Sequence, residues 1–416
     1  MTERGTDGPT FLYEFEREGD VRSLLEFLEQ SEKPTIRVRT AEILGGLTQV
    51  QDVNSDEEIT TGLITAVRED TDDRVRVAAI DALYLRNDLE VLIDALETAC
   101  HDGSSQIESQ LMVQWLSSAH PEFRLVGAGV IGRLGDRSKT PILCAQFSDI
   151  DARVRARAVQ ACGELGDSRA VPPVAGRLTD RNPTVQRNAA MALGAIGTQA
   201  ALEALLPATR TDNLSLRKAA TIALGSFERR EAIDELAALL TDQSHTVRQI
   251  ATSSLLQALS ESPPEQSDWI RSTIADRLQK GENPAIATEL IDILETETEK
   301  TVRRNAIWLL GNIADTSSSG RIHQALVAAL ADNDEMVAQT AMAALNAFED
   351  AESKKRLQLF VQETESETAR SRAKLVLEKQ VADPPRDVVK QSVTYSYVTD
   401  PSEYTTSRPD IDDSSS

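Results

Sequence analysis

Three cysteines, four histidines and two repeating rows of charged residues are the side chains whose chemistry could go beyond packing. Cys100, Cys144 and Cys162 are odd in number and lack a CxxC spacing, so they lay out neither a disulfide framework nor a zinc site. Cys144 and Cys162 fall on helices of one unit, where a small buried hydrophobe is the ordinary role and a reactive thiol the alternative. His101, His120, His245 and His323 include no His-Glu pair and no two histidines at i, i+4. No metal site and no cofactor are expected. Each Gly that could suggest a phosphate loop stands inside or at the end of a helical pattern rather than after a strand. No Ser-His-Asp arrangement and no distinct pair of carboxylates stands out, so the residues give no reason to expect an enzyme.

The basic row is Arg37, Arg76, Arg124, Arg155, Arg217, Arg248 and Arg303, and the acidic row is Asp70, Asp149, Asp180, Asp242 and Asp332. A stripe of guanidinium groups could hold phosphate. The net charge of −23 opposes that, and binding by counterion release collapses as salt rises. The expected role is an internal ladder, with no nucleic-acid partner. Each Asp is expected to cap the helix that follows it and to lie near the Arg of the same unit. As exposed pairs these would contribute about 0.2–1 kcal/mol each.

The elements that carry these rows repeat. An apolar residue is followed by Arg or Gln, by a small residue four places on, and by Gly at the ninth place. Anchors at Phe123, Val154, Val185, Leu216 and Val247 are each 31 residues apart, although Leu256 stands in the last Gly place. Looser copies begin at Ile36, Val75, Val302, Val337 and Ala369. In the copy at Val154, residues 154, 158, 161, 162 and 165 share one small apolar helix face, which lets a neighbouring helix come close. Gly135, Gly166 and Gly197 stand where a helix end wants a left-handed residue. A shorter helix precedes each anchor, as over Ala201 to Leu206 and Ala232 to Leu240, with Pro141, Pro172 and Pro173 in such first turns.

This pattern resembles the HEAT-repeat family, in particular its short-repeat, phycobilisome-lyase-like subgroup. The carrying residues are the turn Asp, the Val-Arg-x-x-Ala opening and the Ala-Leu-Gly-x-Ile/Leu-Gly close, clearest over 149–166 and 180–197. The resemblance implies an all-α, right-handed superhelical solenoid of about ten hairpins, and a concave face that grips proteins. It also brings in one alternative, a lyase-like enzyme or enzyme subunit handling a prosthetic group, and an assembly chaperone stands beside it as a further alternative. Deoxyhypusine hydroxylase, a HEAT-repeat di-iron enzyme, depends on repeated His-Glu pairs that this chain lacks.

Composition agrees with a helical stack. Aromatics are 4% against 40% hydrophobic residues, so the core must come from Ala, Leu, Val and Ile. Ten Lys against 34 Arg, beside 67 carboxylates, reads as a halophile-type proteome, with an ordinary acidic protein as the competing reading. No leader or membrane-spanning run is visible, which points to the cytoplasm and away from a membrane partner. The expected layout is a flexible N-terminus at 1–10, a solenoid over 11–380 that is most regular at 109–258, and a disordered acidic tail at 381–416. Two longer steps, from 75 to 123 and from 247 to 302, interrupt the period. Partner contacts are sought in those irregular units and in the tail, at Trp115, Trp269, Trp308, Tyr395 and Tyr397. The reading is a non-enzymatic scaffold or adaptor for proteins, in signalling or motility.

Overall fold

The computed structural model describes residues 9–47, 53–101, 105–262, 267–274, 284–313, 319–346, 348 and 351–382. Helices account for the regular structure of these residues, and no strand occurs among them. The chain falls into two compact units, Met1–Phe227 and Glu228–Ser416. The first holds α1 (Leu12–Glu18), α2 (Val21–Gln30), α3 (Pro34–Gly46), α4 (Val53–Glu69), α5 (Asp73–Leu85), α6 (Leu89–His101) and α7 (Ser105–Trp115). It continues with α8 (Pro121–Arg133), α9 (Thr140–Ala145), α10 (Ala152–Leu165), α11 (Val171–Ala175), α12 (Pro183–Ile196), α13 (Gln199–Leu205) and α14 (Leu214–Leu224). The second holds α15 (Arg230–Leu239), α16 (His245–Glu261) and a helical stretch over 267–274 (α17). After it come α18 (Pro284–Thr296), α19 (Lys300–Ile313), α20 (Ser319–Ala328), α21 (Glu335–Asn346), α22 (Ala351–Glu363) and α23 (Glu367–Ala382).

Every anchor read from the sequence is the third residue of its helix, from Ile36 in α3 to Ala369 in α23. A shared local device produces this register. The turn Asp takes the backbone N–H two residues on: Asp72 onto Asp70, Asp151 onto Asp149, Asn182 onto Asp180 and Asp334 onto Asp332. That second residue is the cap, because Asp72, Asp151, Asn182, Asn213 and Asp334 accept from N–H groups of the first helical turn. The cap is therefore displaced by two residues from the Asp row, since the row's carboxylates are already engaged in shaping the turn. Before the turn, short 3-10 segments such as Gln146–Ser148, Gly176–Thr179 and Ala329–Ala331 tighten the chain up to the Asp. Gly135, Gly166 and Gly197 all have positive φ, as their helix-end positions require.

Successive anchor helices touch at one repeated spot. The Gly nine places after each anchor faces the Ala seven places after the next anchor. A Cβ on Gly45 would lie 2.7 Å from Ala82 Cα, and one on Gly163 would lie 2.8 Å from Ala192 Cα. Gly132 stands likewise against Ala161, Gly194 against Ala223 and Gly311 against Ala344. Small residues at these points bring the helices together, and the surrounding Leu, Val and Ile side chains close over them.

The two long steps are filled by extra helix. Between α5 and α8 there are two helices, α6 and α7, where a regular repeat has one. Between α16 and α19 stand α17 and α18, inside the long step from 247 to 302. Helix α23 takes in residues 381 and 382, and residues 1–8 and 383–416 lie outside the described residues.

Candidate functional site

The Arg and Asp rows meet, but between repeats rather than within them. Arg37 grips Asp70 with Nε and Nη2 at 2.7 and 2.9 Å, and Arg124 grips Asp149 at 2.6 and 2.8 Å. Arg155 grips Asp180 at 3.0 and 2.8 Å, and Arg303 grips Asp332 at 2.9 and 3.0 Å. The remaining nitrogen, Nη1, donates backward to a carbonyl of the same repeat's turn six residues earlier: Ser31, Ser118, Asp149 and Glu297. Each of these guanidinium groups thus bridges two repeats, and its donors are directed into the fold instead of toward a phosphate.

These pairs are not surface pairs. The side chains of Arg155 and Asp180 are 4% and 5% exposed. The guanidinium of Arg155 is held above its ordinary pKa, first by its bond to Asp180, with burial opposing. For Asp180, burial pushes the pKa upward, but the bonds from Arg155 and the Asn182 N–H outweigh it and the carboxyl ends below its usual range. Asp332 follows the same balance with Arg303. The energetics are those of buried pairs, where the loss of one partner strands the other.

Four members of the rows depart from the pattern. Arg248 grips Glu289 of α18 at 2.8 Å, so a Glu in the interrupted unit stands in for the row's Asp. Asp242 receives the Ser244 N–H at 2.7 Å, and its carbonyl receives Arg248 Nη1 at 2.8 Å. Arg76 donates to the Val67 carbonyl and Asp73, and stacks over Trp115 and Phe123 at 5.1 and 4.8 Å. Arg217 donates to the Thr211 carbonyl at 2.6 Å.

The tryptophans sit at the irregular joints. Trp115 is 6% exposed and tilts onto Phe123 at 4.9 Å, which makes it core rather than an exposed anchor. Trp269 and Trp308 are half-buried and are covered by Arg230 at 4.6 Å and Arg271 at 5.6 Å. Tyr395 and Tyr397 lie outside the described residues.

A polar face that the rows do not reveal runs over α5, α8, α10 and α12. Arg153, the residue before an anchor, is its hub. It donates to Asp81 at 3.0 Å, to Glu122 at 3.0 Å and to Asp151 at 2.8 Å, and stacks over Tyr84 at 5.3 Å. Beside it Arg157 and Arg133 both reach Glu90, at 2.7 and 2.9 Å, and Arg133 also reaches Asp94. A hollow of about 270 Å³ lies here, lined among others by Tyr84, Leu125, Arg153 and Asn188. On α12 and the following anchor helix α14, Met191 and Ile222 are 41% and 46% exposed, each six places after its anchor. A second, larger groove of about 860 Å³ runs between α2 and α4, with Leu25, Leu28 and Ala66 within it and Glu29, Glu57, Glu58 and Glu69 around them. The signal available in the sequence was the sixth place after the anchors at Val185 and Leu216, where Met191 and Ile222 replace the polar Asp81 and Gln160 of earlier repeats.

Among the described residues no group of three or more His, Cys, Asp or Glu side chains is placed to hold a metal ion. No described helix is long and apolar enough to cross a membrane. The arrangement offers protein-sized surfaces with mixed charged and apolar character.

A family model described as HEAT repeats matches residues 109–183, 171–256 and 287–378. A HEAT repeat-containing taxis protein of Halobacterium salinarum is 44% identical over 337 residues, covering 80% of this chain and 82% of the relative. Its source agrees with the halophile-type composition. Among solved structures, an engineered protein is 20% identical over 88% of this chain and all of that one, with a TM-score of 0.49. The complex of CpcE and CpcF of phycocyanin lyase from Nostoc sp. PCC7120 is 17% identical over 65% of this chain and 94% of that one, with a TM-score of 0.33.

Proposed function

The chain belongs to the HEAT-repeat family, and from that premise we propose that it is a non-enzymatic scaffold of a taxis signalling system, holding proteins of that system together in the cytoplasm. The observation that carries this reading is the 44% identity, sustained over four fifths of both chains, to a HEAT repeat-containing taxis protein. The physical case is consistent with it. The regular side chains are consumed in building the stack: the Arg row bridges repeats, and the small residues set helix spacing. What is left over is the outward face of the anchor helices and the groove between α2 and α4.

Partner specificity resides on those surfaces. The hub at Arg153 and Tyr84 offers charge with an aromatic edge, while Met191 and Ile222 offer apolar contact on the next repeats. Deleting the gene in its host and scoring directed swimming tests the pathway. Loss of the response with intact swimming is expected, and an unaltered response would overturn the reading. Pull-down with the tagged protein in native salt, comparing wild type with a Met191→Asp/Ile222→Asp variant, tests the surface. Loss of taxis components from the variant, with its circular dichroism unchanged, is the expected result.

A further inference from the structure

We propose that Cys144 and Cys162 form a reversible dithiol–disulfide couple, a modification site that ties α9 to α10 inside a single repeat. The two sulfurs lie 3.9 Å apart, across the antiparallel pair made by the short helix and its anchor helix. A disulfide needs about 2.05 Å between sulfurs, so closure asks each sulfur to move by roughly 1 Å, within reach of small side-chain rotations. The two thiols differ in access: Cys144 is partly exposed and Cys162 is fully buried on the apolar face of α10. Cys100, the third cysteine, is buried on α6.

The asymmetry assigns the order of events. The hydrogen bond between the thiols holds Cys144 below the usual thiol value, against burial and the nearby Asp167 carboxylate. The same bond, burial and Asp167 hold Cys162 well above it. Cys144 is therefore the entry point, because the thiolate is the nucleophile and it is the reachable one. With a low-molecular-weight disulfide RSSR as oxidant, the Cys144 thiolate attacks one sulfur, forming Cys144–S–S–R and releasing RS⁻. Cys162 then gives up its proton and attacks the Cys144 sulfur, expelling the second RS⁻. Two protein thiols are oxidised to one disulfide, and RSSR is reduced to two RSH. The bond closes a loop that contains the turn residue Asp149, the cap Asp151 and the ladder residue Arg155. It would fix the pitch of that one repeat and restrain its unfolding.

The test uses the full-length protein in native salt with oxidised glutathione as the probe. Thiols are counted before and after by alkylation and mass spectrometry. The count should fall from three to one, the remaining thiol being that of Cys100, and dithiothreitol should restore it. Because trypsin cuts at Arg153, Arg155 and Arg157, the two cysteines fall on separate peptides unless they are bonded, and a linked pair is diagnostic. The oxidised protein should also melt several degrees higher than the reduced one. In Cys162→Ala the glutathione adduct should persist on Cys144, since nothing remains to displace it. Three free thiols after oxidation, a stable adduct on Cys144 in the wild type, or a link involving Cys100 would each overturn the proposal.

Discussion

Replacing Asp180 by Ala isolates what one rung of the ladder does. The substitution deletes two hydrogen bonds from Arg155, at 3.0 and 2.8 Å, and one from the Asn182 N–H at 2.9 Å. Arg155 keeps only its bonds to the carbonyls of Asp149 and Ile150, at 2.8 and 3.3 Å, and stays buried with its charge unpaired. Stranding a buried charge costs about 3–5 kcal/mol, a large share of the ~5–15 kcal/mol by which domains are stable. Urea unfolding followed by circular dichroism measures the loss. Running it at about 0.15 M and about 1 M NaCl separates buried from surface electrostatics, because the Debye length shrinks from ~8 to ~3 Å. The penalty should change little with salt, since water and ions do not reach this pair. Glu352→Ala, which removes the exposed partner of Arg356, should cost less than about 1 kcal/mol, and less again in high salt. The double variant Arg155→Met/Asp180→Leu should recover most of the loss. If Asp180→Ala costs under 1 kcal/mol, or its cost fades with salt as the surface pair's does, the ladder is not a buried structural device.

Other outcomes follow from the same geometry. Gly163→Ala should destabilise by about 1–3 kcal/mol despite its better helix propensity, because the added methyl runs into Ala192 backbone; Gly46→Ala, with open space around it, should be neutral or stabilising by thermal melting. Stability should be flat above pH ~4 and fall as the pH drops toward 2. Asp180, Asp332 and Asp72, the last held at about 2, have folded pKa values below their unfolded ones, so their contribution is lost as they protonate. Acid titration of circular dichroism reads this, and a midpoint above pH 5 would contradict it. Arg157→Met should be tolerated within about 1 kcal/mol, since Nε and Nη2 of that buried guanidinium have no hydrogen-bond partner and Glu90 retains Arg133.

The helical register was legible because one residue type recurred at fixed spacing and each copy obeyed the same local rules. Phe123 and Val302 could be placed on the same turn of their helices from spacing alone. Pairing was harder to read. Arg155 is closer in sequence to Asp149 than to Asp180, yet a side chain lying along a stack reaches the next repeat more readily than its own turn. The cap was misplaced for a related reason: two adjacent carboxylates, Asp149 and Asp151, compete for one role, and only the path of the backbone decides between them. Glu289 could not be assigned to Arg248 because it stands on an inserted helix, outside any period. The Arg153 hub stayed hidden as well: Glu122 stands one period before it, but Asp81 comes from across the long step and obeys no common spacing.

The contact between each Gly and the following Ala, together with the reach of each Arg to the following Asp, gives the stack a direction. The repeat at Val154 shows this in full: Gly163 and Arg155 reach the neighbour on one side, while Ala161 and Asp149 receive the neighbour on the other. Complementary edges of this kind make a repeat interchangeable with its neighbours. A tandem duplication of the 31 residues of this repeat would add a unit whose two borders already match, and its excision would set Arg124 and Gly132 against Asp180 and Ala192, which also match. Lengths that are not whole repeats lack that property and must be absorbed by extra helix, as at α7 and α18. The chain can therefore grow or shorten through copying errors without inventing a new interface, while its irregular joints stay fixed as the places where copies cannot be exchanged.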